Sequence, residues 1–338
     1  MEEHEEKLRA RLRWALAGLA AAVYWQVSLH SFINYDDPLF VGRNPHVYTG
    51  LTLANLRWAF TTLSGGATSY QPLVWLSHQL DCQLFGLKAG PQHLTNLWFH
   101  VANTLLLFTL LDNLTGKQWR SAMVAVLFAV HPLHVQTVAW ISERKSLVCT
   151  SFWLLTTLCY VRYARQGGVC NYLLSLLLFA GALLCKPIAV SLPVTLLLLD
   201  FWPLRRLRLG ESAGWRPAPL DARDQVAKLD EIAPSVWRLL LEKAPFFLLS
   251  AIMCWVTVLA QADLGAIQTL ADVPLAVRLS NSVVVPILYL WKAAWPDGLA
   301  PIYPLHHDWA WWQVAGAGMA SAQGRYRRLW RYWRIFLE

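Results

Sequence analysis

Long, nearly unbroken apolar runs alternate with short charged turns along all 338 residues. Each run is predominantly apolar over close to the length of a membrane helix, which is the pattern of a helix in hydrocarbon. Candidate spans fall at about 14–33, 94–111, 121–141, 146–161, 244–261 and 279–295. The run 171–204 is too long for one span of ~20 residues. Lys186-Pro187 interrupts it, so it divides into 171–185 and 187–204. A short run at 309–322 is a marginal ninth. The pattern predicts an all-α polytopic membrane protein with about eight or nine transmembrane helices.

One polar segment, 34–92, is too long to be a turn and carries a pattern of its own. Over 72–87, Leu73, Leu76, Leu80, Leu84 and Leu87 share one helical face. This predicts an amphipathic helix in the membrane interface, with Trp75 among the headgroups. His78 and Asp81 lie off the stripe, where an i,i+3 pair makes a local hydrogen bond or salt bridge.

Composition agrees with the pattern. Apolar residues make up 56% and charged residues 15%, against about 25% charged in soluble domains. The net charge of +8 sits in small clusters between apolar runs, which sets topology and does not make a nucleic-acid face. Lys7, Arg9, Arg11 and Arg13 precede the first span; Lys117/Arg120, Arg162/Arg165 and Arg205/Arg206/Arg208 follow later ones. With 1–13 cytoplasmic and uncleaved, alternation puts all of these on the cytoplasmic side and the loop 34–92 outside. A second large loop, 205–243, is then cytoplasmic. The basic tail 323–338 reads as divergent or truncated, because nine strictly alternating spans would put Arg325–Arg334 outside. The six cysteines form no C-x-x-C pair and read as small apolar residues.

Candidate chemistry gathers on the outer side. Asp36 and Asp37, in "SFINYDDPLF", stand at the edge of the first span. Charge beside hydrocarbon is costly, so the pair is either a helix boundary or a working group. "SERKS", 142–146, puts Glu143, Arg144 and Lys145 outside, where basic residues are disfavoured. It is either an exposed turn or a cation pair waiting for an anion such as phosphate. Lys186 maps to the same face. His131 and His134, spaced i,i+3 around Pro132, could share a divalent metal with Asp36, or could position a ligand. In the second span His93, Asn96, His100 and Asn103 share an arc of about 80°. Asn96, His100 and Asn103 read as bundle-holding hydrogen-bonders, while His93 at the outer end could reach a site.

Several separated stretches carry a family resemblance: "NYDDPLFVGRNPHVYTGLT", "SYQPLVWLSHQLDCQLFGL", "QHLTNLWFHVANTLLLF", "HPLHVQTVAWISERKS" and "LLCKPIAVSLPVTLLLLDFWPL". Over about 14–312 the chain resembles bacterial tetratricopeptide-repeat membrane proteins, which are similar to the transmembrane-and-tetratricopeptide-repeat O-mannosyltransferases. The resemblance implies a GT-C glycosyltransferase bundle over 14–322. It also implies sugar transfer, mannose-like, from a polyprenyl-phosphate carrier to an acceptor hydroxyl, on protein Ser or Thr, at the extracytoplasmic face of a bacterial inner membrane. Asp36 and Asp37 match the family's catalytic acids. Arg144 and Lys145, with Lys186, would bind the donor phosphate; His93, His131, His134 and Glu143 would position it. Three departures remove titratable groups from the family pattern: Gln136 and Ser146 stand in place of acids, and Gln71 in place of a histidine. No tetratricopeptide repeats accompany the bundle in these 338 residues. A transporter, or an inactive scaffold relative, is the alternative; a transporter would place its ionisable groups near the midplane and show internal repeats.

Overall fold

The computed structural model describes residues 2–63, 65, 69–206, 236–300 and 302–322, and these are entirely helical, turn and loop, with no strand among them. The expected cytoplasmic loop, apart from its ends, and the whole tail lie outside the described residues, as does Arg208.

The chain starts with α1 (Glu2–Tyr24), which joins the charged N-terminal segment and the first apolar run in one helix. A 3-10 turn, Trp25–Leu29, ends it, so the first span is shorter at its outer end than the apolar run suggested. The outer segment folds into α2 (Pro45–Tyr48), α3 (Leu53–Thr61) and α4 (Pro72–Phe85). Local sequence starts the first two. Asn44 caps α2 by accepting the His46 N–H with Pro45 at the first position, and Thr52 caps α3 by accepting from Asn55 N at 3.1 Å. The bundle follows as α5 (Ala89–Thr115), α6 (Gln118–Val130), α7 (His134–Ala139), α8 (Arg144–Gln166), α9 (Val169–Leu183), α10 (Leu192–Phe201), α11 (Val236–Asp263), α12 (Leu275–Ala294) and α13 (Trp311–Ala322). Gly116 ends α5 at φ 66°, a conformation that favours glycine. Gly181 lets α9 close on α8, because a Cβ there would lie 2.7 Å from the Phe152 ring.

Every apolar run of the sequence overlaps a helix. Among the described residues three helical segments are long and apolar enough to cross a membrane, 89–115, 141–166 and 236–263; shorter apolar helices cover 118–130, 169–183 and 187–201. The expected span 121–141 is cut short. Its helix ends at Val130 and Pro132 sits in the turn that follows, so 13 residues rise only about 20 Å.

Packing divides into layers that hold the outer segment against the bundle. Leu16 of α1 meets Phe108 of α5 and Ala122 and Ala125 of α6. Tyr160, Phe179, Leu192 and Phe246 join α8 to α11 in the largest cluster, which also takes in Val74 of α4. Phe40, Val47, Ala59, Trp75 and Ile141 make the core of the outer segment. Leu80 and Leu84 of α4 are exposed, as is Leu87 just beyond its end, while Trp75 is buried at 1% exposure. Trp75 is therefore a core residue, stacked near Phe40 at 5.0 Å, and not a headgroup anchor. The polar face of α4 turns inward because it meets a buried cation there.

Candidate functional site

The two aspartates have different environments. Asp37 is fully buried. One carboxylate oxygen accepts the Ser142 N–H at 3.1 Å and the Ser142 hydroxyl at 2.5 Å, and the other accepts the Ile33 N–H at 2.8 Å. These bonds fasten the loop after α1 to the turn before α8. Asp36 is half-buried. Its backbone carbonyl accepts from Leu39 and Phe40, and its side-chain carboxylate has no hydrogen-bond donor among the described residues. It lies within electrostatic reach of Lys145, Glu143 and Asp37. Burial raises its carboxyl above the usual aspartate range, and the charges of Glu143 and Asp37 add to the rise while Lys145 opposes it.

A second polar group faces it from the start of α8. Glu143 pairs with Lys145 at 3.0 Å and with Lys186 at 3.6 Å. Lys186 Nζ donates to the Ser146 hydroxyl at 2.7 Å, and that hydroxyl donates to Glu143 at 2.8 Å. Lys145 also lies over the Phe40 ring, 5.2 Å from its centroid. The result is two ammonium groups held by one carboxylate at a helix N-terminus, which adds its own partial positive charge. Ser146, whose acidic counterpart the family pattern expected, works here as the hydroxyl bridge between Glu143 and Lys186.

Arg144 does not join that group. Its side chain is wholly buried, and each of its three nitrogens is engaged. Nε donates to Asn96 Oδ1 at 2.8 Å, Nη2 to the Gln92 carbonyl at 2.7 Å, and Nη1 lies 2.6 Å from Asp81 and 3.3 Å from the Ser77 carbonyl. The guanidinium faces protein on every side, so it is not open to an incoming anion, whereas Lys145 and Lys186 are only partly buried. His78 and Asp81 make no bond to each other. Asp81 reaches Arg144 and accepts from Thr95 at 3.1 Å. His78 is fully buried with neither ring nitrogen partnered, and burial together with the nearby Arg144 and Lys145 holds its pKa well below the usual histidine value.

The polar stripe of α5 holds the bundle together. Asn96 donates to the Trp140 carbonyl at 3.0 Å, His100 contacts the Ala129 carbonyl at 3.0 Å, and Asn103 donates to the Leu147 carbonyl at 2.9 Å. His93 does reach the outer loop, lying 3.5 Å from the Ser31 carbonyl and edge-on to His30.

The histidine pair is placed elsewhere. His131 spends both ring nitrogens on backbone, Nε2 with the Ala293 carbonyl at 2.9 Å and Nδ1 with the Leu133 N–H at 3.2 Å. His134 packs against Phe128, with ring centroids 4.4 Å apart, and burial lowers its pKa to about 4. Neither ring contacts Asp36, Lys145 or Lys186. Among the described residues no three His, Cys, Asp or Glu side chains come together as metal ligands, so Asp36, His131 and His134 do not form the expected trio. An open cavity of roughly 630 Å³ runs along α3 beside Arg57 and Trp58, and none of the expected site residues lines it.

One buried network was not legible as a unit in the sequence. Asp200 and Glu242 face Arg206 and Lys243 around the Tyr160 hydroxyl. Arg206 pairs with Asp200 at 3.0 Å and with Glu242 at 2.8 Å; Lys243 pairs with Glu242 at 2.8 Å and contacts Asp200 and Tyr160. Charged residues at the ends of apolar runs were the available signal. Tyr160 lies 15 residues beyond Lys145, about 22 Å along α8.

A membrane protein whose described residues are all helix, turn and loop, with an acid and two ammonium groups at one end of the bundle, is the class that fold and site define. Comparison with known proteins narrows it. Residues 72–215 match the family described as dolichyl-phosphate-mannose-protein mannosyltransferase. The chain is 32% identical over 186 residues to Protein O-mannosyl-transferase Tmtc1 of Drosophila melanogaster, covering 52% of this chain and 22% of that protein. It is 32% identical over 219 residues to human Protein O-mannosyl-transferase TMTC1, covering 59% and 24%, and 30% identical over 157 residues to human Protein O-mannosyl-transferase TMTC2, covering 45% and 19%. The chain spans less than a quarter of the length of these curated relatives. No solved structure matches it. The matches support the O-mannosyltransferase family that the motifs pointed to.

Proposed function

We propose that this chain is a membrane glycosyltransferase that moves mannose from a polyprenyl-phosphate carrier to a Ser or Thr hydroxyl of a protein, at the extracytoplasmic face, with the N-terminus cytoplasmic. The observation that carries the reading is the Asp36 carboxylate, which accepts no hydrogen bond among the described residues and lies within electrostatic reach of Lys145 and Glu143. Asp36 takes the proton of the acceptor hydroxyl as its oxygen attacks the sugar's anomeric carbon. The bond from that carbon to the phosphate oxygen breaks, and the carrier phosphate leaves with the electron pair. Lys145, Lys186 and the α8 N-terminus stabilise the charge that develops there. Glu143 and Ser146 hold the two ammonium groups in place, and Asp37 anchors the loop that presents Asp36. The reading assigns no metal, and His131 and His134 serve the bundle.

Two experiments test the parts. Replacing Lys145 and Lys186 together by Gln is expected to lower kcat/KM for dolichyl-phosphate mannose about 10²–10⁴-fold, from ~1.5–3 kcal/mol for each charged hydrogen bond. Membrane insertion and the folded fraction should stay unchanged, and undiminished use of the donor would take both lysines out of the site. For the orientation, single cysteines at Phe60 and Lys117 would be probed with a membrane-impermeant maleimide, in a background with the exposed Cys170 and Cys254 replaced. Labelling from outside is expected at position 60 and not at 117; the reverse pattern would put Asp36 on the wrong side for an extracytoplasmic acceptor.

A further inference from the structure

Arg144 and Asp81 form a buried ion pair between a turn and a helix that share no other charge. Buried pairs add little net stability, and their best-attested use is to fix one arrangement over others. Here the pair joins two elements that the site depends on. Through Arg144 the turn before α8 is tied to Ser77 and Asp81 of α4 and to Gln92 and Asn96 of α5. Asn96 also holds the start of that turn by donating to the Trp140 carbonyl. Two residues before Arg144, Ser142 grips Asp37 with both its N–H and its hydroxyl. One residue after it, Lys145 lies within electrostatic reach of Asp36. Asp81 is the one carboxylate in direct contact with Arg144 among the described residues.

We infer that the Asp81–Arg144 pair is a latch that sets the position of the reacting groups: it fixes the 141–146 turn on α4, and the turn, through Ser142 and Asp37, sets where Asp36 stands relative to Lys145. Asp81 and Arg144 are positioning residues that touch neither donor nor acceptor. The latch deepens the functional reading above and rests on it for the catalytic consequence alone.

The test reads amide hydrogen exchange by mass spectrometry on the full chain in lipid nanodiscs, with sugar transfer from dolichyl-phosphate mannose to a Ser/Thr peptide measured alongside. Asp81→Asn is expected to speed exchange at least tenfold in peptides covering 30–37 and 139–146, where the Ile33 and Ser142 amides bond to Asp37. Peptides within 172–183 of α9 should keep their protection. Transfer should lose at least tenfold in kcat, with KM for the donor within about twofold. The double variant Asp81→Asn/Arg144→Gln buries no lone charge and keeps an amide–amide bond, so it is expected to recover protection in both peptides. Ser142→Ala cuts the link beyond the latch: exchange should rise over 30–37, and the 75–85 stretch of α4 should stay protected.

Unchanged exchange over both segments in Asp81→Asn overturns the latch. So does an effect confined to KM for the donor, which would make Arg144 a ligand for phosphate. If Asp81→Asn does not fold, the double variant and Ser142→Ala carry the decision, and normal exchange over 30–37 in Ser142→Ala overturns it. Because exchange needs no turnover, a chain inactive in every form would sink the functional reading and leave the latch to be judged on exchange.

Discussion

Asp36→Asn is expected to remove nearly all sugar transfer, a loss of about 10²–10⁴-fold, from a protein that inserts and folds as before. Asparagine keeps the shape of the side chain and cannot accept the hydroxyl proton. The folded state tolerates the change because the Asp36 carboxylate holds no hydrogen bond among the described residues. Asp37→Asn should behave differently: it turns an acceptor of three hydrogen bonds into a group with a single acceptor oxygen, and loosens the loop from the Ser142 turn. Its loss should come with faster exchange over 30–37, whereas Asp36→Asn leaves exchange unchanged. The pH dependence has a definite sign. A base must be deprotonated to act, and burial raises the Asp36 carboxyl. The rate should therefore climb with pH through that raised value, with its acid limb above the ordinary aspartate range near ~3.9. Turnover assayed across pH with dolichyl-phosphate mannose and a Ser/Thr peptide decides the point. Wild-type turnover in Asp36→Asn would reduce the aspartate to a helix boundary.

The largest effect on stability belongs to the other end of α8. Lys243→Met should destabilise the folded protein by about 3–5 kcal/mol, because it strips the wholly buried Asp200 of one of its two cations and Glu242 of one of its own. The cluster closes α8, the end of α10 and the start of α11 around Tyr160, so its loss opens three helix ends together. Removing Asp200 as well, in Lys243→Met/Asp200→Asn, should return much of the loss, since the penalty comes from a charge left unpaired in a low dielectric. Unfolding in detergent against a denaturant series measures both. A Lys243→Met variant within about 1 kcal/mol of wild type would show that the cluster is solvated. With about 22 Å of helix between Tyr160 and Lys145, the fraction still folded should transfer sugar at a normal rate.

What could be read from the sequence followed the range of the interactions. Helices announced themselves where apolar runs act within a few residues, while the cap at Thr52 and the break at Pro132 are equally local signals that the spans drawn from the apolar pattern passed over. The bundling role of Asn96, His100 and Asn103 was legible because four polar groups on one arc of an apolar helix have to face protein. Asp36 was legible because charge at the hydrocarbon edge is costly. The pairing of charges was not. Arg144 finds Asp81 63 residues earlier in the chain, and Lys243 finds Asp200 43 residues earlier, with no local pattern to announce either. Helix α4 shows the same limit from another side: Trp75, expected among headgroups, is core, and Asp81, expected to pair with His78, packs on Arg144. A cation counted as bait for phosphate was already committed to an aspartate.

The three reacting parts of the site come from chain segments made at very different times. Asp36 leaves the ribosome first of the three, the Glu143–Lys145 turn follows about a hundred residues later, and Lys186 last. At ~5–20 residues per second, the ~150 residues from Asp36 to Lys186 take about 8–30 s to synthesise. Over that interval Asp36 is made and Lys186 is not, so the proposed site would lack one of its two ammonium groups. On the proposed mechanism, transfer would have to wait until the segment carrying Lys186 has docked beside α8, and a nascent chain would stay inactive until its membrane helices up to that point are in place.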